Sequence, residues 1–139
     1  GGFWPEADSE CLERVDELFV SPPNHAYTVF ENERVLPKSV SPIMAANPGN
    51  DFLDIILRKL HLLRPDQLHE KPHESTGNFF LARIWPDHHD KLTIFPSHYF
   101  IPQWYRQGSP RYNGPDKVYA EQHWGSTGMP WLQPYSKGV

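Results

Sequence analysis

Cysteine is all but absent from this chain. Cys11 stands alone, so no internal disulfide can staple the fold, and a reducing compartment is compatible with that. Long apolar runs are missing too. Nothing approaches the roughly 20 residues that cross a bilayer, and the first residues lack a signal-peptide pattern. Positive charge is sparse and scattered. Thirteen Lys and Arg against 17 Asp and Glu give a formal net charge of −4. Without a basic block the composition argues against a nucleic-acid partner, because phosphate backbones need clustered cations. There is no internal repeat and no Walker or G-x-S-x-G pattern, and no H-E-x-x-H spacing supports the adjacent His88 and His89. Nucleophilic catalysis therefore has little support, and Cys11 has no motif that would activate it.

What is present is a single domain's worth of chain, 139 residues with 14% aromatics, too aromatic for disorder. Fifteen prolines and nine glycines predict many turns and limited regular structure. The apolar spacing of Leu12, Val15, Leu18 and Phe19 predicts a short helix over 11–20. Residues 25–30 read as a strand, and 39–46 as a second one interrupted by Pro42. Asn50 caps a helix over 51–63, with Phe52, Ile55, Ile56, Leu60 and Leu63 on one face and Asp54 and Arg58 as an i,i+4 pair. A loop runs from 61 to 74, and Ser75 or Thr76 caps a short helix that Pro86 ends. Residues 92–95 form a strand that 98–101 extends, and 117–121 form the last strand. Strands alternating with helices predict an α/β fold, with ligands beyond the strand C-termini. Both the opening acids and His123 belong at that end.

The residues that carry chemistry are few. Glu6 and Asp8 lie two positions apart, and in extended backbone such side chains leave one face. A hard cation such as Mn²⁺ or Mg²⁺ is held by one or two carboxylates plus substrate phosphates, which suits this pair. A neutral imidazole at His123 can complete the site. Beside it, Gly125 permits close backbone approach to a phosphate, and the Trp124 indole and Ser126 hydroxyl are donors. Thr76-Gly77-Asn78 opens the short helix and offers donors to an anion or a hydroxyl. Against these stand plainer roles: solvated acids, a core Trp with a hydrogen-bonded His, and ordinary capping. His88, His89 and His98 form a weaker candidate for a metal hydrolase, and Phe95, Tyr99, Phe100, Trp104 and Tyr105 read first as packing.

In order along the chain, four segments resemble the C-terminal part of glycosyltransferase family 32, sugar transferases with a DXD motif. They are Gly1-Gly2-Phe3-Trp4-Pro5-Glu6-Ala7-Asp8, the 40–49 segment ending in Pro48-Gly49, Ser75-Thr76-Gly77-Asn78, and the closing Tyr119-Ala120-Glu121-Gln122-His123-Trp124. The resemblance implies a GT-A-like α/β fold and retaining transfer of a hexose from a nucleotide sugar to a glycan acceptor, with Mn²⁺ (or Mg²⁺) as cofactor. It implies that Asp8 and His123 bind the metal, and that Glu6, Asp8, Trp124 and Ser126 hold the donor. Thr76, Gly77 and Asn78 would line the sugar or acceptor pocket. Glu6 stands where the family has Asp, one bond of about 1.5 Å longer, and Ser41 and Asn78 replace residues that are usually Asn and Pro. The start at Gly1 carries the further expectation that an N-terminal half with the nucleotide-binding βαβ units, or a partner chain, is missing. On this reading the chain is one partial catalytic domain, 1–139, in the cytoplasm; a Golgi-type anchor upstream of Gly1 would place it elsewhere. The alternative is a non-catalytic, truncated transferase-like module that binds glycan or a partner chain.

Overall fold

The β-rich run 26–30 supplies the strand about which the sheet is built. In the computed structural model, which describes residues 1–68 and 71–124, the main sheet has four strands. These are β1 (Gly2–Trp4), β3 (Ala26–Phe30), β4 (Val40–Ala46) and β5 (Leu92–Phe95), in the order β1-β4-β3-β5. A separate two-stranded ribbon joins β2 (Ser9–Cys11) to β6 (Ala120–Gln122). β4 runs antiparallel to both β1 and β3, and β5 runs parallel to β3. Hence β1, β3 and β5 share one direction, and the fold is α/β with a mixed sheet.

A parallel joint needs a long crossover. Here it is made by α1 (Asp51–His61), α2 (Pro72–Ser75) and α3 (Asn78–Ile84). Gly49 turns the chain into α1 at φ +70°, a left-handed conformation that favours glycine. The Asn50 side chain then accepts the backbone N–H groups of Phe52 and Leu53 at 3.0 and 3.2 Å, and donates to Asn24 O at 2.8 Å. The Asp54–Arg58 pair forms at 2.7 Å but is exposed, and such pairs contribute only a few tenths of a kcal/mol. The inward stripe does more, with Phe52 only 1% exposed.

Strand alternation sorts two cores onto the two sheet faces. Ala26, Met44 and Ala46 meet Phe52, Phe80, Leu81 and Ile84 on the helix side. Val29 and Ile43 meet Leu18, Phe100, Ile101 and Tyr119 on the other. Pro42, which lacks an N–H, sits in an interior strand but at a bulge. Thr28 pairs with Met44 and Phe30 with Val40, so one β3 residue faces three of β4. The Thr28 hydroxyl lies 2.9 and 2.8 Å from the Ser41 and Ile43 carbonyls, so its one proton is shared between two acceptors that the bulge takes out of the regular ladder.

Four expected elements differ. Gly77, not Ser75 or Thr76, stands at the N-cap of α3, and both hydroxyls instead donate back to the Lys71 and Pro72 carbonyls. Residues 11–20 form no helix: Cys11 belongs to β2, and turns follow. A segment this short does not sustain a helix alone, since nucleation is costly. Its apolar residues instead reach the second core as Val15, Leu18 and Phe19, while Leu12 N and Glu13 N donate to Tyr119 O. Residues 98–101 do not extend β5; a 3₁₀ turn over Ser97–Tyr99 directs Phe100 and Ile101 inward. The last strand is limited to three residues and pairs with β2 outside the main sheet.

Candidate functional site

The acids stand just past the C-terminal end of β1. Pro5 breaks the strand, and Ser9 N donates to Glu6 O at 3.1 Å, closing a turn that hands the chain to β2. The β2–β6 register sets Ser9 opposite Gln122, and His123 N donates to Asp8 O at 3.0 Å, extending the ladder by one bond. With period-2 alternation, Gln122 takes the face of Ser9, while Glu121 and His123 take the other.

That alternation decides the site. Gln122 is 3% exposed, and its Nε2 donates to Glu6 Oε2 at 2.6 Å and to Asp8 Oδ1 at 2.5 Å. Its Oε1 accepts the Ser9 hydroxyl at 2.7 Å, so the amide uses both donors and its acceptor. The two carboxylates therefore converge on a single nitrogen. Burial first, then the charges of Asp8 and Glu31, push the Glu6 carboxyl above its ordinary value of 4.5; the Gln122 hydrogen bond pulls the other way.

Glu31 emerges from the end of β3 on the same side of the sheet. Its Oε1 accepts the Trp104 indole N–H at 3.0 Å, and its Oε2 accepts Ser39 Oγ and Asn78 Nδ2, each at 3.0 Å. This carboxylate ties the start of β4, the start of α3 and the 100–118 segment to the rim of the acid pair.

Of the residues singled out in the sequence, Glu6 and Asp8 come together, and Asn78 joins them through Glu31. His123 does not join them. Its Nε2 lies 2.9 Å from Glu10 Oε2, across the ribbon from the acids. The Trp124 indole donates to Gln103 O at 3.1 Å, and its ring rests on Tyr105, centroids 5.3 Å apart. Gly125 and Ser126 lie outside the described residues. Thr76 is exposed and bonds Pro72 O at 3.4 Å. Gly77 is needed where it stands, because a Cβ there would meet His73 Cα at 2.7 Å. The histidines of the weaker candidate have separate surroundings: His89 Nδ1 contacts Pro86 O at 3.3 Å, and His98 stacks on Tyr112 at 4.0 Å.

Sequence reasoning missed Gln122 and Glu31. The signal for Gln122 was the alternation itself, which allows only one of two adjacent strand residues to face the acids. Behind Gln122, on the opposite face, Glu121 is 4% exposed and takes a two-pronged ion pair from Arg111.

Chemically, two oxygens aimed at one point suit a hard cation or a hydroxyl-rich ligand. Among the described residues no group of three or more His, Cys, Asp or Glu side chains is arranged to hold a metal ion. A cation here would draw on Glu6, Asp8 and ligands from the substrate or water, the way Mg²⁺ is commonly held. Likewise among the described residues, no helix is long and apolar enough to cross a membrane. No protein-family model, no curated protein and no solved structure matches the chain.

Proposed function

We propose that this chain is the catalytic-side portion of a metal-dependent retaining glycosyltransferase of GT-A-like fold. It would serve transfer of a hexose from a nucleotide sugar to a glycan hydroxyl. The observation that carries the reading is the convergence of Glu6 Oε2 and Asp8 Oδ1, 2.6 and 2.5 Å from one nitrogen. It lies at the sheet end where open α/β folds bind ligands. Bound there, Mn²⁺ or Mg²⁺ would supply charge to the departing diphosphate. The chain's own part is to hold that charge. Glu6 and Asp8 present oxygens, Gln122, itself held by the Ser9 hydroxyl, fixes their directions, and Glu31 anchors Asn78 at the rim.

The test is a Mn²⁺ titration by electron paramagnetic resonance, with and without Asp8→Ala. Saturable binding that disappears in the variant supports the assignment, and identical curves sink it. One observation favours a second reading, a transferase-like module without catalysis that binds glycan or a partner chain. The Gln122 amide already occupies the point on which the carboxylates converge. Release of free hexose from nucleotide sugars in the presence of Mn²⁺ would contradict that second reading.

A further inference from the structure

Away from the acids, an open groove of about 540 Å³ runs between α1 and α3, within the size range of small-ligand sites. Its floor is apolar, made by Leu63, Phe80 and Ile84. Lys59 of α1 and Arg83 of α3 line it, and among the described residues neither cation has a carboxylate partner. The Arg83 guanidinium lies over the Phe80 ring, 5.9 Å from its centroid, which leaves its N–H donors unspent. Two acids also line the groove. Asp66 is held by Arg64 through bonds of 3.0 and 3.1 Å, whereas Asp87 has no ion pair among the described residues. With Asp66 neutralised by Arg64, Lys59 and Arg83 against Asp87 leave one net positive charge (2 − 1 = 1) over an apolar bed.

We infer that this groove binds a small organic monoanion with a flat apolar body, an aryl carboxylate in kind. The body would lie along Leu63 and the exposed edges of Phe80 and Ile84, and its carboxylate would take the guanidinium fork of Arg83 with support from the Lys59 ammonium. Asp87 sets a limit on ligand charge by disfavouring dianions. The site is independent of Glu6 and Asp8, and its test does not involve them.

The full chain, isotope-labelled, is titrated with naphthoate, with neutral naphthamide and with acetate, following backbone amide shifts. Naphthoate is expected to shift residues 59–67 and 80–88 saturably. Arg83→Gln and Lys59→Gln, both exposed positions, should each weaken it about 5- to 10-fold, the scale of one lost charge-assisted contact. Spectra of the free variants that overlay the parent elsewhere confirm that they fold. Naphthamide should bind more weakly and ignore both substitutions, and acetate alone should not saturate. Naphthoate shifts that map elsewhere, or that survive Arg83→Gln unchanged, overturn the proposal. So does acetate binding equal to naphthoate, which would mark an adventitious ion only. Equal binding of naphthamide overturns it as well, by removing the anion.

Discussion

Gln122→Leu removes the amide that bridges Glu6 and Asp8 while keeping a similar volume. Two hydrogen bonds to carboxylates and one to Ser9 are lost. Bonds to charged groups contribute about 1.5–3 kcal/mol each when buried. Glu6 and Asp8 are only half-buried and can regain water, so the net loss should be about 2–3 kcal/mol near pH 7. For a domain of this size that lowers Tm by roughly 6–12 °C. The pH dependence is the sharper signature. Glu6 has its folded carboxyl raised above 4.5, so it binds a proton more readily in the folded state. Its contribution to stability is then full below the unfolded value and is lost as pH rises through the folded one. Removing the Gln122 bond, which lowers the folded value, widens that window upward. The Tm gap between parent and variant should therefore be larger at pH 7 than at pH 4.5. Thermal melts by circular dichroism at both pH values decide it. A gap that does not change with pH refutes the account, and so does a variant as stable as the parent at pH 7. If the acids hold Mn²⁺, the same variant should gain more Tm from added Mn²⁺ than the parent does, since no amide competes for the oxygens.

Three further outcomes follow from the packing. Arg111→Met leaves the buried Glu121 carboxylate without its partner and should cost about 3–5 kcal/mol in urea unfolding; the double variant with Glu121→Leu should recover much of that loss. Phe52→Ala, at a side chain 1% exposed, should cost about 3–5 kcal/mol in the same assay. Tyr119, buried and hydrogen-bonded to Glu17, has its phenol pushed up to about 12. The folded state therefore keeps that proton while the unfolded chain loses it above 10, so stability should fall between pH 10 and 12. Tyr119→Phe should show a smaller fall across that range in melts at fixed salt.

Much of the sheet and its main helix was legible because local signals agreed. Asn50 and the 3.6-residue stripe both mark one helix, and residues 25–30 and 92–95 are β-formers bounded by turns. The 11–20 segment was not legible, because the spacing of Val15, Leu18 and Phe19 serves packing against Tyr119 as well as it would serve a helix. The acid pair could be read from Glu6 and Asp8 alone. Its partner could not, since Gln122 and His123 are neighbours in sequence and only the register opposite Ser9 tells which one faces inward. Glu31 carried no motif at all. Its role comes from Trp104, Ser39 and Asn78, three segments that meet only in the folded chain.

The Gln122–Glu6 bond joins residues 116 apart, through a ribbon of only three paired positions. Contacts of such separation form late in folding, because the intervening chain must be ordered first. During synthesis the two acids precede Gln122 and stay unclamped until that residue has been made. The clamp therefore rests on the fold between: its three side chains meet only once β2 and β6 have been brought together, so loosening the intervening sheet should loosen the acids too.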